Sequence, residues 1–300
     1  MFNFTVPDFR KVRVLIDSDA KNEADDQYAI VHALLSPKLK VKGLIAAHFG
    51  EKHISSSMLE SYQECLKIKE LVHSDVKVCK GAQKAITDQN NYEYSEGADL
   101  IIQEAFSDSS EPLFVIFLGP LTDLACAYLK EPRIADRLTA IWVGGGPYPN
   151  GGKEFNMYND IAAANIIFQS AIDLWQIPSN VYSQLLVSLS ELQMRVAPCG
   201  KLGEYLFHQL VEFNESSTEF KDWPSGESWC LGDSSAIGLL LDQHLWAYEI
   251  KNAPLVDKEM NYIFQQTSQK LRVYHTINSR FILEDFFIKL KLFTGKPNDF

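Results

Sequence analysis

The sequence predicts an α/β fold: a mostly parallel central sheet flanked by helices. Two observations predict it. Short, nearly all-apolar runs rich in β-branched residues alternate with longer segments of helical spacing. Strands that are apolar on both sides belong in a parallel sheet covered on both faces. The chain has 300 residues, 46% of them hydrophobic. That is enough for a sizeable core and within range for one α/β unit, so residues 1–300 are expected to form a single domain.

The elements follow in order. Val12–Ile16 is a compact β-branched run and reads as a buried strand. Asp26–Leu35 has helical spacing and stops before Pro37. Val41–Ala46 is the next strand, Ser55–Leu71 a helix, Val76–Cys79 a short strand and Asp99–Phe106 a helix. Leu113–Leu118 is nearly all apolar and leads through Gly119-Pro120-Leu121-Thr122-Asp123 into a helix ending at Lys130. Leu138–Val143 is another apolar run, closed by Gly144-Gly145-Gly146, and Asp160–Phe168 is helical. Further on, Asp173–Ile177 reads as a strand, Gly200–Phe213, Trp229–Leu241 and Ile282–Leu292 as helices, and Glu215–Trp229 as a long polar loop of the kind that forms lids. Right-handed crossovers place every parallel strand's C-terminal end on one edge, where such sheets bind ligands.

Composition narrows the function. The net charge of −11 gives no counterion-release gain on a phosphate backbone, which argues against a nucleic-acid partner. Five cysteines, none spaced C-x-x-C, argue against a disulfide framework or a zinc ribbon. The first eleven residues lack a basic start followed by an apolar run, and no uncharged apolar stretch is long enough to span a bilayer. A cytoplasmic protein with no membrane partner is the expectation.

The strongest chemical signal is Asp17-Ser18-Asp19-Ala20-Lys21-Asn22-Glu23-Ala24-Asp25-Asp26. It starts where the first strand ends and finishes where a helix opens. Clustered carboxylates repel one another unless something positive lies between them, and a hard divalent cation takes carboxylate and carbonyl oxygens. Against this stands a solvated acidic loop with Asp25 as a helix cap. Asp233, in Gly232-Asp233-Ser234, by itself reads as an N-cap. Glu154-Phe155-Asn156 follows the glycine run 144–146 and Gly151-Gly152, which let backbone approach a ligand, though turns explain glycines equally well.

Together these pieces resemble the nucleoside hydrolase family, of the inosine-uridine preferring type. That family shows D-x-D-P-G-x-D-D after the first strand, then G-P-L-T-N, G-G-G, E-F-N and a late H-D-P. Here stand Asp17-Ser18-Asp19 with Asp25-Asp26, Gly119 to Asp123, Gly144 to Gly146, Glu154 to Asn156, and Gly232-Asp233-Ser234, in order over residues 12 to about 241. The resemblance implies a Rossmann-like sheet fold and hydrolysis of the N-glycosidic bond of a ribonucleoside or related N-riboside, in a homodimer or homotetramer. It implies calcium held by Asp19, Asp26, Asp233 and the backbone carbonyl of Leu118. It also implies Asp19 as general base, and Asp25, Glu154 and Asn156 on the ribose hydroxyls.

Two departures stand out. Five residues separate Asp19 from Asp25 where the family has three, and its Pro-Gly is missing, so the loop must bulge and Asn22 or Glu23 becomes an extra sugar or metal contact. Lys21 is close enough in sequence to alter the local charge. The family's late His, a proposed acid for the leaving base, is Gly232. Replacements to weigh are His48, which follows a strand at the ligand edge, the Tyr92, Tyr94, Glu96 loop, and Trp223 or Trp229 for stacking on a base. His53 stays open, while His32, His208 and His244 read as structural or surface residues. Two rival readings remain. A riboside- or sugar-binding relative would bind calcium without turnover. A haloacid dehalogenase-type phosphatase shares the D-x-D after the first strand but leaves Asp25-Asp26 and Glu-Phe-Asn unexplained.

Overall fold

The computed structural model describes residues 2–50, 56–87, 92–217, 224–266 and 269–295. In chain order the elements are β1 (Val12–Ser18), α1 (Asp26–Leu34), β2 (Leu39–Ala46), α2 (Ser57–Leu71), β3 (Val78–Lys80), α3 (Glu96–Ala105), β4 (Leu113–Phe117), α4 (Thr122–Lys130) and β5 (Thr139–Val143). Then come α5 (Phe155–Asn159), α6 (Ile161–Phe168), β6 (Asp173–Ile177), α7 (Ser179–Tyr182), β7 (Leu186–Ser188), α8 (Leu189–Arg195) and α9 (Gly200–Ser216). The chain closes with β8 (Ser228–Cys230), α10 (Ser234–Leu241), β9 (Tyr248–Asn252), β10 (Leu255–Val256), β11 (Tyr262–Ile263), β12 (Lys270–Tyr274) and α11 (Ser279–Thr294).

The main sheet has eight strands in the order β3-β2-β1-β4-β5-β6-β12-β9. Only β9 runs antiparallel to its neighbour, so the sheet is mostly parallel, as expected. Strand β1 shows why. Its seven residues are all buried, and they alternate between two cores. Val12, Val14 and Ile16 join one apolar cluster with α1, α2, α9, α10 and α11, while Leu15 joins the other with α3, α4 and α6. An all-apolar strand is stable only where both faces are covered.

The chain leaves β1 outward to β2 and β3, then returns to build β4, β5 and β6 on the other side. The switch point therefore lies between β1 and β4, which pair in parallel with Asp17 opposite Phe117. Leu118 N–H donates to the Asp17 carbonyl at 2.8 Å, carrying the alignment past the strand end. The crevice at such a point is where open α/β sheets bind ligands.

Several expected elements shift. Trp229 belongs to β8, paired with β7, and helix α10 starts only at Ser234. Trp229 is buried edge-on against Phe213 at 5.5 Å and is a core residue. Helix α3 opens earlier than expected because Ser95 Oγ accepts from Ala98 N–H at 2.9 Å. Residues 242–278 carried no strand expectation, yet β12 inserts beside β6 and β9 closes the sheet. Part of the expected 215–229 loop, with Trp223, lies outside the described residues, as does His53. No helix among the described residues is long and apolar enough to cross a membrane.

Strand β5 reaches into the switch point through Trp142. Its ring is fully buried and Nε1–H donates to the Gly119 carbonyl at 3.0 Å, anchoring the loop that carries Leu118. Trp142→Phe leaves that carbonyl without its donor, so unfolding free energy in urea should fall by roughly 1–3 kcal/mol. An unchanged denaturation midpoint would show that the loop does not depend on this bond.

Candidate active site

One cleft of about 370 Å³ of empty space opens at the switch point, lined by Asp19, Asn22, Glu23, Asp25, Asp26, Leu118, Val143, Glu154, Phe155, Asn156, Tyr182, Gly232 and Asp233. Seven of the eight expected binding and metal residues other than Asp19 are here: Asn22, Asp25, Asp26, Leu118, Glu154, Asn156 and Asp233. Asp19 lies with them. His48 does not. It is fully buried, its Nε2 is 2.8 Å from Thr122 Oγ1, and its Nδ1 accepts from Gly50 N–H at 3.3 Å. Thr122 in turn donates to Asp160 at 2.8 Å. Burial holds the imidazole down to about 4, so it stays neutral as a structural link between the β2 end and α4.

The stretched loop is held by backbone contacts. Asn22 N–H closes a turn on the Asp19 carbonyl at 2.8 Å. Gln27 Nε2 donates to the Ala20 carbonyl at 2.6 Å, and Gln209 Nε2 of α9 donates to the Ala24 carbonyl at 3.0 Å. Lys21 points away to Glu64 on α2, 3.9 Å distant, so it does not neutralise the cleft. Among the described residues no lysine or arginine lines it.

Asp25 and Asp233 sit where helix N-caps belong, yet neither side chain caps its helix. Their carboxylates turn into the cleft. Oxygens of Asp25, Asp26 and Asp233 lie within 4.8 Å of one another, an arrangement that could hold a metal ion. This trio differs from the expected set: Asp25 joins it, and Asp19 stands beside it. The fit to a hard cation is good, because every donor is an oxygen and Asp19 Oδ2 is buried with no hydrogen-bond partner among the described residues. Asp26 Oδ1 is oriented by Ser18 Oγ–H at 2.5 Å, and Asp25 Oδ2 by Asp233 N–H at 3.2 Å. The Leu118 carbonyl accepts from Asn156 Nδ2 at 2.7 Å, which leaves its second lone pair.

Crowding shows in the acidities. Burial, then neighbouring Asp25, pushes Asp26 up to about 8. Burial raises Asp25 to about 6. Burial and the surrounding carboxylates also hold Asp19, Glu23 and Asp233 well above the ordinary range. Asp17 departs from the cluster: it is fully buried and does not line the cleft, and burial, then nearby Asp123, pushes its carboxyl well above the ordinary range.

Glu154 has a different environment. Its two oxygens accept from Gly145 N–H at 2.7 Å, Met157 N–H at 2.9 Å, Asn156 N–H at 3.2 Å and Tyr182 O–H at 3.0 Å. Gly145 reaches this position with φ +79°, and a Cβ there would strike Gln176 and Tyr262. Asn156 donates to the Leu118 and Val143 carbonyls, at 2.7 and 2.9 Å, bracing the ends of β4 and β5.

The profile of the family described as inosine-uridine preferring nucleoside hydrolase matches residues 14–280. The chain belongs to the nucleoside hydrolase family. It is a hydrolase acting on the N-glycosyl bonds of ribonucleosides. A probable uridine nucleosidase of Arabidopsis thaliana is 25% identical across 82% of this chain and 74% of its own length. The pyrimidine-specific ribonucleoside hydrolase RihA of Salmonella paratyphi A is 24% identical across 72% of this chain and 73% of its own. The solved purine-preferring ribonucleoside hydrolase from Gardnerella vaginalis shares the fold, with a TM-score of 0.78 at 22% identity over 94% of this chain and 99% of that one. Family membership sets aside the phosphatase reading.

Tyr182 and Phe155 line this nucleoside hydrolase cleft without having been singled out from the sequence. Phe155 lay within the E-F-N motif; Tyr182 carried no motif signal. Tyr92 and Tyr94 pack against the α3–α4 core and are not among the lining residues.

The raised carboxyls make stability pH-dependent. Unfolded aspartates ionise near about pH 4, while in the fold Asp25 and Asp26 hold their protons toward about 6 and about 8. Without a cation, their contribution is therefore greatest below about pH 4 and is lost as pH rises toward 8. A divalent cation bound at about 100 times its Kd should add roughly 2.7 kcal/mol at neutral pH. Melting scans with and without calcium from pH 4 to 8 measure both effects, and Asp26→Asn should abolish the cation response. A melting temperature indifferent to cation at pH 7.5 would refute a metal site here.

Proposed function

We propose that the chain is a calcium-dependent hydrolase of a small N-riboside, with Asp19 as general base. The observation that supports this most directly is the set of carboxylates at the switch point. They face the cleft instead of capping helices, and Asp19 keeps a buried oxygen with no partner among the described residues.

In this reading Asp19 takes a proton from the attacking water as oxygen bonds to the anomeric carbon. The carbon–nitrogen bond breaks, its electron pair leaves with the base, and positive charge develops on the sugar. Glu23 and Asp25 surround that charge and favour it electrostatically. Asp25, Asn22, Glu154 and Asn156 orient the ribose hydroxyls. Calcium held by Asp26, Asp233, Asp25 and the Leu118 carbonyl, with Asp19 beside it, would supply positioning and charge neutralisation. The substrate is a nucleoside or related N-riboside, with relatives bearing both pyrimidine and purine names. A single domain, cytoplasmic, assembled as a homodimer or homotetramer, completes the proposal.

The test is release of reducing sugar from uridine, inosine, cytidine and modified ribosides, with calcium or with chelator, for the natural chain and Asp19→Asn. Calcium-dependent release that falls about 10²–10⁴-fold in the variant is the expected result. Full activity in Asp19→Asn would move the base elsewhere. Calcium binding without release from any riboside would favour the binding-only relative.

A further inference from the structure

The two departures from the family pattern meet in one place. Gly232 has no side chain, and a Cβ built there would lie 2.8 Å from Tyr182 Cδ2 and 3.4 Å from its Cγ. The phenol ring thus fills the space that a larger residue at 232 would need. Tyr182 stands at the end of α7, held by backbone contacts. Ser179 N–H donates to the Gly145 carbonyl at 2.9 Å and Tyr182 N–H to the Pro178 carbonyl at 3.1 Å. Its hydroxyl reaches Glu154 Oε1 at 3.0 Å inside the cleft.

Donors are scarce in this cleft. Six lining residues are acids, and both amide hydrogens of Asn156 are engaged by carbonyls. Among the described residues lining the cleft, the side-chain donors left are Asn22, on the stretched loop, and Tyr182, against Gly232. We propose that Tyr182 is a catalytic residue that donates a hydrogen bond to the departing base, in the position left open by Gly232. The assignment rests on the hydrolase reading above.

Glu154 makes this exchange inexpensive. Three backbone N–H groups still bond its carboxylate when the phenol turns to a new acceptor. No buried charge is left bare. Burial and the neighbouring Glu154 carboxylate push the phenol upward, so it stays a donor at working pH. In the step itself the carbon–nitrogen pair goes to the base, and the Tyr182 O–H bonds an acceptor atom of that base as charge builds. The water's hydroxyl ends on the sugar, and the proton it loses balances the one the free base gains.

The experiment compares Tyr182→Phe with the natural chain on uridine, inosine and p-nitrophenyl β-D-ribofuranoside, with calcium, and checks melting temperature. A nitrophenolate needs no help to leave. A loss of kcat of roughly 10²-fold on the nucleoside, with the nitrophenyl riboside barely changed, is expected. Equal loss on both would make Tyr182 a positioning residue for Glu154, and no loss on either would remove it from the reaction; each result overturns the proposal. If Tyr182→Phe fails to fold, Gly232→Ala displaces the ring while keeping the hydroxyl, and the same selective loss is expected. A natural chain that cleaves no riboside overturns the hydrolase reading itself and this assignment with it. Selective loss is the one pattern that supports both.

Discussion

Carboxylates held close together in a buried cleft repel one another, and no lysine or arginine among the described residues lines it. Asp25, Asp26 and Asp233 come within a single ion's reach, with Asp19 and Glu23 beside them. Such an arrangement costs stability in the free protein and is tolerated because the scaffold leaves these groups no alternative. Asp26 is tied to Ser18, Asp25 to the Asp233 backbone, and the loop that precedes them to Gln27 and Gln209. The helices that begin at Asp26 and Ser234 do without side-chain caps, so these carboxylates face the cleft.

The sheet supplies the rigidity this requires. Strands β1 and β4 diverge in connectivity while staying paired, and their C-terminal ends deliver Asp19 and Leu118 side by side. Asn156 links the Leu118 carbonyl just beyond β4 to the Val143 carbonyl at the end of β5, and Trp142 holds the Gly119 carbonyl from the face of the sheet. Polar groups thus anchor the ends of β4 and β5 that reach the cleft. Glu154 shows the same economy: it caps α5 and closes the Gly145 turn while keeping an oxygen toward Tyr182.

Substitution within the family pattern is accommodated locally. The two extra residues before Asp25 form a turn on Asp19 and send Lys21 outward to Glu64, which leaves the acidity of the cleft intact. The absence of a side chain at 232 is matched by an aromatic ring from α7, far away in sequence.

The sequence by itself determined the α/β class, the succession of strands along the chain up to β6 and the acidic character of the site. Apolar runs that need cover on both faces have few other solutions, and the acidic motif directly follows a strand. Family resemblance carried Asp19, Asp26, Asp233, Leu118, Glu154 and Asn156 to one cleft, and the fold brings them there. What the tertiary structure decided concerns contacts between distant segments. His48 sits at a strand end like a site residue, but its ring turns inward to Thr122 and is desolvated. Strand β9, YEIKN, is exposed along nearly its whole length at the sheet edge, β12 beside it is short and half polar, and β10 and β11 are two-residue strands of a separate ribbon, so the apolar signal thins there. Tyr182 bears no local motif; its role comes from Gly232, fifty residues on, and Glu154, twenty-eight residues back. Strand direction and hydrophobic cover are written locally, whereas which acid, which ring and which glycine meet depends on how helices close over the sheet.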